Sequence, residues 1–104
     1  MAGRPDGTRI ALMAADLVRR HVVITGRVQG VFFRDSVREQ AEAHGVAGWA
    51  RNRYDGAVEA VFEGLPEDVE RLIDFCRTGP SRADVDDVEI SEEEPEGLSG
   101  FSIR

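Results

Sequence analysis

Apolar residues recur along this chain with two different spacings, and the switches between them predict its elements. In "RHVVITGRV", residues 20–28, Val22 and Ile24 alternate with Val23 and Thr25, and the β-branched content reads as a strand. From Phe33 to His44 the spacing lengthens. Phe33, Val37 and Ala41 recur four apart among charged residues, and Gly45 supplies the stop of an amphipathic helix. "VAGWARNR", residues 46–53, and "AVEAVFEG", residues 57–64, return to strand, the second with Val58, Ala60 and Phe62 on one face. Asp55-Gly56 between them suits a hairpin turn. A second helix starts at Pro66, where a missing N–H costs nothing, and Glu67, Asp68 and Glu70 complement its positive end. Val69, Leu72, Ile73 and Cys76 form its apolar stripe, and Gly79-Pro80 closes it. "DVDDVEI", residues 84–90, sets Val88 and Ile90 on one face of a fourth strand, and "GFSIR", residues 100–104, is a candidate edge segment.

The order is βαββαβ. Each helix has one stripe to bury and a single sheet offers one covered face, so both helices are expected on the same side. That is the ferredoxin-like arrangement of the α+β class: a four-stranded antiparallel sheet, with a possible C-terminal edge strand, under two helices. Residues 1–18 are expected to lie outside this fold as an extension, leaving residues 19–104 as one domain.

Charge narrows the partners. The 104 residues carry 13 basic and 20 acidic side chains, a net charge of −7, which opposes binding to nucleic acid or to an anionic membrane. Every basic residue is arginine, so a phosphate-loop lysine, a Schiff base and a lysine general base are all excluded. The single cysteine, Cys76, excludes an intramolecular disulfide and fits a cytoplasmic setting. The N-terminal apolar run, residues 10–18, is interrupted by Asp16 and supports neither a signal peptide nor a membrane span. The eight acids between Asp84 and Glu96 lack the alternation and glycine of a calcium loop and read as a solvated edge.

"GRVQGVFFR", from Gly26 to Arg34, joins the first strand to the first helix without Ser, Thr, Asn or Asp to cap that helix. Several N–H groups there lack an intrahelical partner. Gly30 permits a turn that brings successive N–H groups together, the helix dipole adds positive potential, and Arg34 supplies a planar fork for phosphate oxygens. The same residues also fit a plain tight turn with Arg34 in solvent.

Together with "GWARN" (residues 48–52) and the terminal "FSIR", this stretch resembles the acylphosphatase family, over residues 20–104. The resemblance implies hydrolysis of a small-molecule acyl phosphate to a carboxylate and inorganic phosphate, by a monomer, with neither cofactor nor metal. It implies a cradle made of Gln29, Gly30, Val31, Phe32, Phe33 and Arg34, with backbone N–H groups and the Arg34 guanidinium on the phosphate, and Asn52 positioning the attacking water. Ala50 stands where the family often has valine, and the tyrosine that often follows the final arginine is absent; neither departure touches the implied chemistry. The residues fit such a reaction on their own. A carboxylate leaves without protonation, so a site that positions water and stabilises phosphoryl charge suffices.

Two other readings compete. "CRTGPSR", residues 76–82, resembles the loop of cysteine-dependent phosphatases, with Cys76 as nucleophile and Arg82 on the phosphate. That loop follows a strand and precedes a helix, whereas Cys76 falls at the end of a predicted helix and a strand follows Arg82. A non-enzymatic ferredoxin-like anion-binding module is the second. An RNA-binding form of it is opposed by the net charge and by the lack of an aromatic-rich central strand. His21 and His44 lack metal-ligand spacing, and Trp49 is expected to cover a sheet face.

Overall fold

The computed structural model describes residues 16–104 and places in them β1 (Val18–Arg27), α1 (Phe33–His44), β2 (Ala47–Asn52), β3 (Val58–Gly64), α2 (Pro66–Thr78), β4 (Asp84–Glu93) and β5 (Phe101–Ile103). The strands form one sheet in the order β4-β1-β3-β2-β5. β1 is an interior strand, paired antiparallel with both β3 and β4, and β3 stands at the middle of the five. It starts at Val18, one residue inside the segment expected to precede the fold; residues 1–15 of that segment lie outside the described residues.

Strand parity decides which side is covered. Val22 faces Ala60 and Ile24 faces Val58 across β1 and β3, and these four side chains have no exposed surface. Phe62 and Ala50 continue the same face, and the helices close it with Phe33, Val37 and Ala41 from α1 and Val69, Leu72, Ile73 and Cys76 from α2. Both helices therefore lie on one side, as the apolar stripes require, in a ferredoxin-like α+β fold. Each fully buried aliphatic or aromatic side chain contributes about 1.5–3 kcal/mol relative to its exposed state.

The possible C-terminal edge strand is present at the far edge of the sheet as β5. The sheet has five strands and is mixed, because β5 runs parallel to β2, with Gly48 opposite Phe101 and Ala50 opposite Ile103. The physical reason is the route of the chain after β4. Residues 94–100 cross from one edge of the sheet to the other, and Glu63 on β3 fastens them by accepting hydrogen bonds from the N–H groups of Glu96, Gly97 and Leu98. A chain that has crossed the sheet re-enters beside β2 running in the same direction. The β2 pairing then closes with Gly48 N–H on Gly100 O at 2.9 Å and Arg104 N–H on Ala50 O at 2.8 Å.

Candidate active site

Two valines shape the β1–α1 connection. Val28 and Val31 are buried in the core, so the backbone between them, Gln29 and Gly30, arches outward. Just before it, a bulge at Thr25/Gly26 breaks the register with β4. Gly26 has φ 123°, and a Cβ there would meet the Asp84 carbonyl oxygen at 2.2 Å, so only glycine fits. Gly30 (φ 76°) and Phe32 (φ 64°) are both left-handed, on either side of Val31. Backbone of this kind turns successive N–H groups into a concave anion nest. Glycine takes that conformation freely, whereas Phe32 holds it at a cost of about 1–2 kcal/mol.

Phe32 is also the N-cap of α1, and its side chain caps nothing. Its carbonyl accepts hydrogen bonds from Ser36 N–H at 3.0 Å and Ser36 Oγ at 2.9 Å. The first N–H groups of the helix, on Phe33, Arg34 and Asp35, therefore have no intrahelical acceptor and point out along the positive end of the dipole. Phe33 anchors this turn. It is buried, with its ring 6.4 Å from that of Phe75 on α2.

A cavity of about 240 Å³ opens at this helix start, bordered by Gly30, Phe32, Phe33 and Arg34 and, from the end of β2, by Asn52. Arg34 is half-buried, and among the described residues no carboxylate lies within ion-pairing distance of it. Most other arginines, including Arg19, Arg27, Arg38, Arg51 and Arg53, are held by Asp or Glu. Asn52 Oδ1 is buried and accepts no hydrogen bond from the protein. A buried carbonyl oxygen without a donor costs about 1–3 kcal/mol, which marks it as a group kept for something other than stability.

Five of the residues expected at the site thus border one cavity: Gly30, Phe32, Phe33, Arg34 and Asn52. Gln29 and Val31 do not. Val31 is in the core, and the Gln29 amide turns away to donate to Arg53 O at 2.6 Å and Ala57 O at 2.9 Å. Val28 and Asp35 border the cavity without having been expected there. Position next to Arg34 in the first helical turn was the signal for Asp35, whose carboxylate is paired with Arg38 at 3.5 Å.

The rival phosphate motif comes apart. Cys76 is fully buried on α2, and burial pushes its thiol up to about 12, the nearby Arg77 opposing only weakly. The chain after it passes through Gly79 and Pro80 directly into β4 at Asp84, with no helix behind Arg82. His21 sits 2.7 Å from Glu59 on the sheet face away from the helices, and Trp49 lies under the Arg104 guanidinium at 4.7 Å.

A ferredoxin-like domain with an uncapped helix start, an unpaired arginine and Asn52 around one cavity has the chemistry of an anion-binding site. Comparison narrows that chemistry. The family model described as acylphosphatase matches residues 20–103. An acylphosphatase of Haloarcula marismortui is 55% identical over 86 residues, covering 83% of this chain and 94% of that one. One from Gloeobacter violaceus is 55% identical over 89 residues, covering 86% and 96%. The solved structure of an acylphosphatase from Coxiella burnetii superposes with a TM-score of 0.85 at 37% identity, covering 88% of this chain and 97% of that one. The chain belongs to the acylphosphatase family. It is an enzyme that hydrolyses acyl phosphates to a carboxylate and inorganic phosphate.

Proposed function

We propose that the phosphoryl group sits at the start of α1, held by the backbone N–H groups of residues 29–34 and the Arg34 guanidinium, and that Asn52 positions the attacking water. The observation that carries this reading is that an unpaired Arg34 and Asn52, a buried amide oxygen of which has no hydrogen-bond donor, border one cavity at an uncapped helix start. Arg34 presents two parallel N–H groups to two phosphoryl oxygens. In this reading the Asn52 side-chain amide holds a water at the cavity with a lone pair free to face phosphorus. As the water oxygen bonds to phosphorus, the bond to the acyl oxygen breaks and the carboxylate leaves with the electron pair. The carboxylic acid has a pKa of about 4, so the leaving oxygen needs no general acid. Negative charge building on the equatorial oxygens is met by preorganised donors.

The working unit in this reading is the domain that begins with β1, acting as a monomer in the cytoplasm on a small-molecule acyl phosphate, with the residues before it as an extension. The net charge of −7 supports the absence of a nucleic-acid partner, and no described helix is long and apolar enough to cross a membrane. Phosphate release from benzoyl phosphate, measured with a chelator present, tests the site. Wild type is expected to turn over at full rate and Arg34→Ala to lose ~10²–10³-fold. Undiminished turnover by Arg34→Ala, or loss of wild-type activity that a single added metal restores, overturns the reading.

A further inference from the structure

Gln29 is the only polar side chain between β1 and α1; it is half-buried and does not border the cavity. Its amide nitrogen spends both protons on the β2–β3 turn, at 2.6 Å from Arg53 O and 2.9 Å from Ala57 O. Those two carbonyls form the neck of that turn. Arg53 N–H already donates to Ala57 O at 2.8 Å, so Ala57 O accepts from both partners. Asp55 Oδ1 accepts the Ala57 N–H at 3.1 Å and sets the turn from within. Asn52 is the residue immediately before Arg53, at the last position of β2. Gly30, the left-handed step of the cradle, immediately follows Gln29. One side chain thus ties the loop that carries the anion nest to the turn that carries Asn52, across 24 and 28 residues of sequence.

We propose that Gln29 is a positioning residue for hydrolysis, fixing the separation between the phosphate cradle and Asn52. The inference rests on the site reading above and adds a part to it. The chemistry asks for this residue type. Two carbonyl oxygens must be bridged by one nitrogen with two protons; glutamate offers no donor when ionised, methionine offers volume without donors, and asparagine is one methylene short. Neither carbonyl needs Gln29 to complete the hairpin, because Arg53 N–H and Gly56 N–H already donate to Ala57 O and Arg53 O. The fastening therefore controls where the turn sits, more than whether it forms. Displacement of an attacking group by about 1 Å is enough to lose ~10²-fold in rate.

The test uses Gln29→Met and Gln29→Asn in the full chain, with benzoyl phosphate as substrate and inorganic phosphate as competitive inhibitor. Both variants are expected to lower kcat at least ~10-fold while the phosphate inhibition constant stays within ~3-fold of wild type. Should the methionine variant fail to fold, the asparagine variant, which keeps the amide, carries the measurement. A kcat within ~3-fold of wild type in either folded variant overturns the proposal, because the side chain then serves only the fold. So does an equal loss in kcat and phosphate binding, which would place its action on the cradle alone. If Arg34→Ala and Asn52→Ala turn over like wild type, it is the underlying site reading that falls, and the two failures are told apart by those variants.

Discussion

Arg19 Nη1 donates to Glu63 Oε2 at 2.9 Å, and the two side chains keep only 8% and 4% of their surface in water. The same glutamate accepts the N–H groups of Glu96, Gly97 and Leu98 at 2.7–3.1 Å, so one buried carboxylate holds both β1 and the crossing segment that leads to β5. Burial alone would raise its pKa, but the N–H groups and Arg19 outweigh burial and hold the carboxyl below its ordinary 4.5.

Glu63→Gln is expected to destabilise the fold by about 3 kcal/mol, since it leaves Arg19 less well compensated and turns one of the two oxygens that serve three N–H groups into a donor. Denaturant unfolding measures it. The pH dependence has a definite sign. A lowered folded-state value means that the contribution is complete above 4.5 and disappears as pH falls through the folded value. Wild type should therefore lose melting temperature below about pH 4.5 more steeply than Glu63→Gln does. Parallel curves for the two proteins would contradict this role.

Arg34→Lys should be nearly as damaging as Arg34→Ala. Lysine keeps the charge but not the two-pronged geometry that matches two phosphoryl oxygens, and one lost preorganised donor costs ~10²–10³-fold in turnover. Steady-state kinetics decide it. Near-wild-type activity in the lysine variant would reduce Arg34 to a point charge.

Asn52→Ala should abolish turnover and leave inhibition by inorganic phosphate nearly unchanged, whereas Arg34→Ala should weaken both. The asymmetry follows from assigning water to one residue and phosphate to the other. Comparable loss of phosphate binding in Asn52→Ala would reassign that amide to the phosphate.

Cys76→Ser should cost about 1–3 kcal/mol through a hydroxyl placed in an apolar site, with turnover of the folded fraction near wild type. A thiol held near 12 is almost wholly protonated at neutral pH, so iodoacetamide should react slowly with the native protein and fast after unfolding. Rapid inactivation of the native enzyme would instead assign chemistry to "CRTGPSR".

Much of the fold was legible because its signals are local. α1 runs from Phe33 to His44 and α2 starts at Pro66, where the apolar stripe, Gly45 and the helix-starting proline put them. The direction of β5 was not legible. Three residues carry no register information, and their sense is set by Glu63, which catches the crossing segment 33 to 35 residues away. The site divides the same way. Gly30 and Arg34 stand out at an uncapped βα junction, and Asn52 enters through the family motif. The side-chain partners of Gln29 depend on a hairpin folding back against the loop, which no local pattern encodes. Phe32 shows the limit of reading residue type alone: a large apolar residue, it borders the cavity yet is 69% exposed, in a left-handed conformation that serves the backbone.

The interior place of β1 sets the pace of assembly. The first strand made must wait for both neighbours, since Arg19 meets Glu63 across 44 residues and Glu93 across 74. Neither side of β1 can be zipped from a hairpin, so the chain closes long loops, losing conformational entropy before the contacts that reward it are made. Domains dominated by such distant pairings reach the native state in milliseconds to seconds, whereas small helical bundles do so in microseconds to milliseconds. Stopped-flow refolding should find this protein in the slower range. Substitutions that loosen β5, which joins an edge of the finished sheet, should mainly speed unfolding, while those in β1 should slow folding itself.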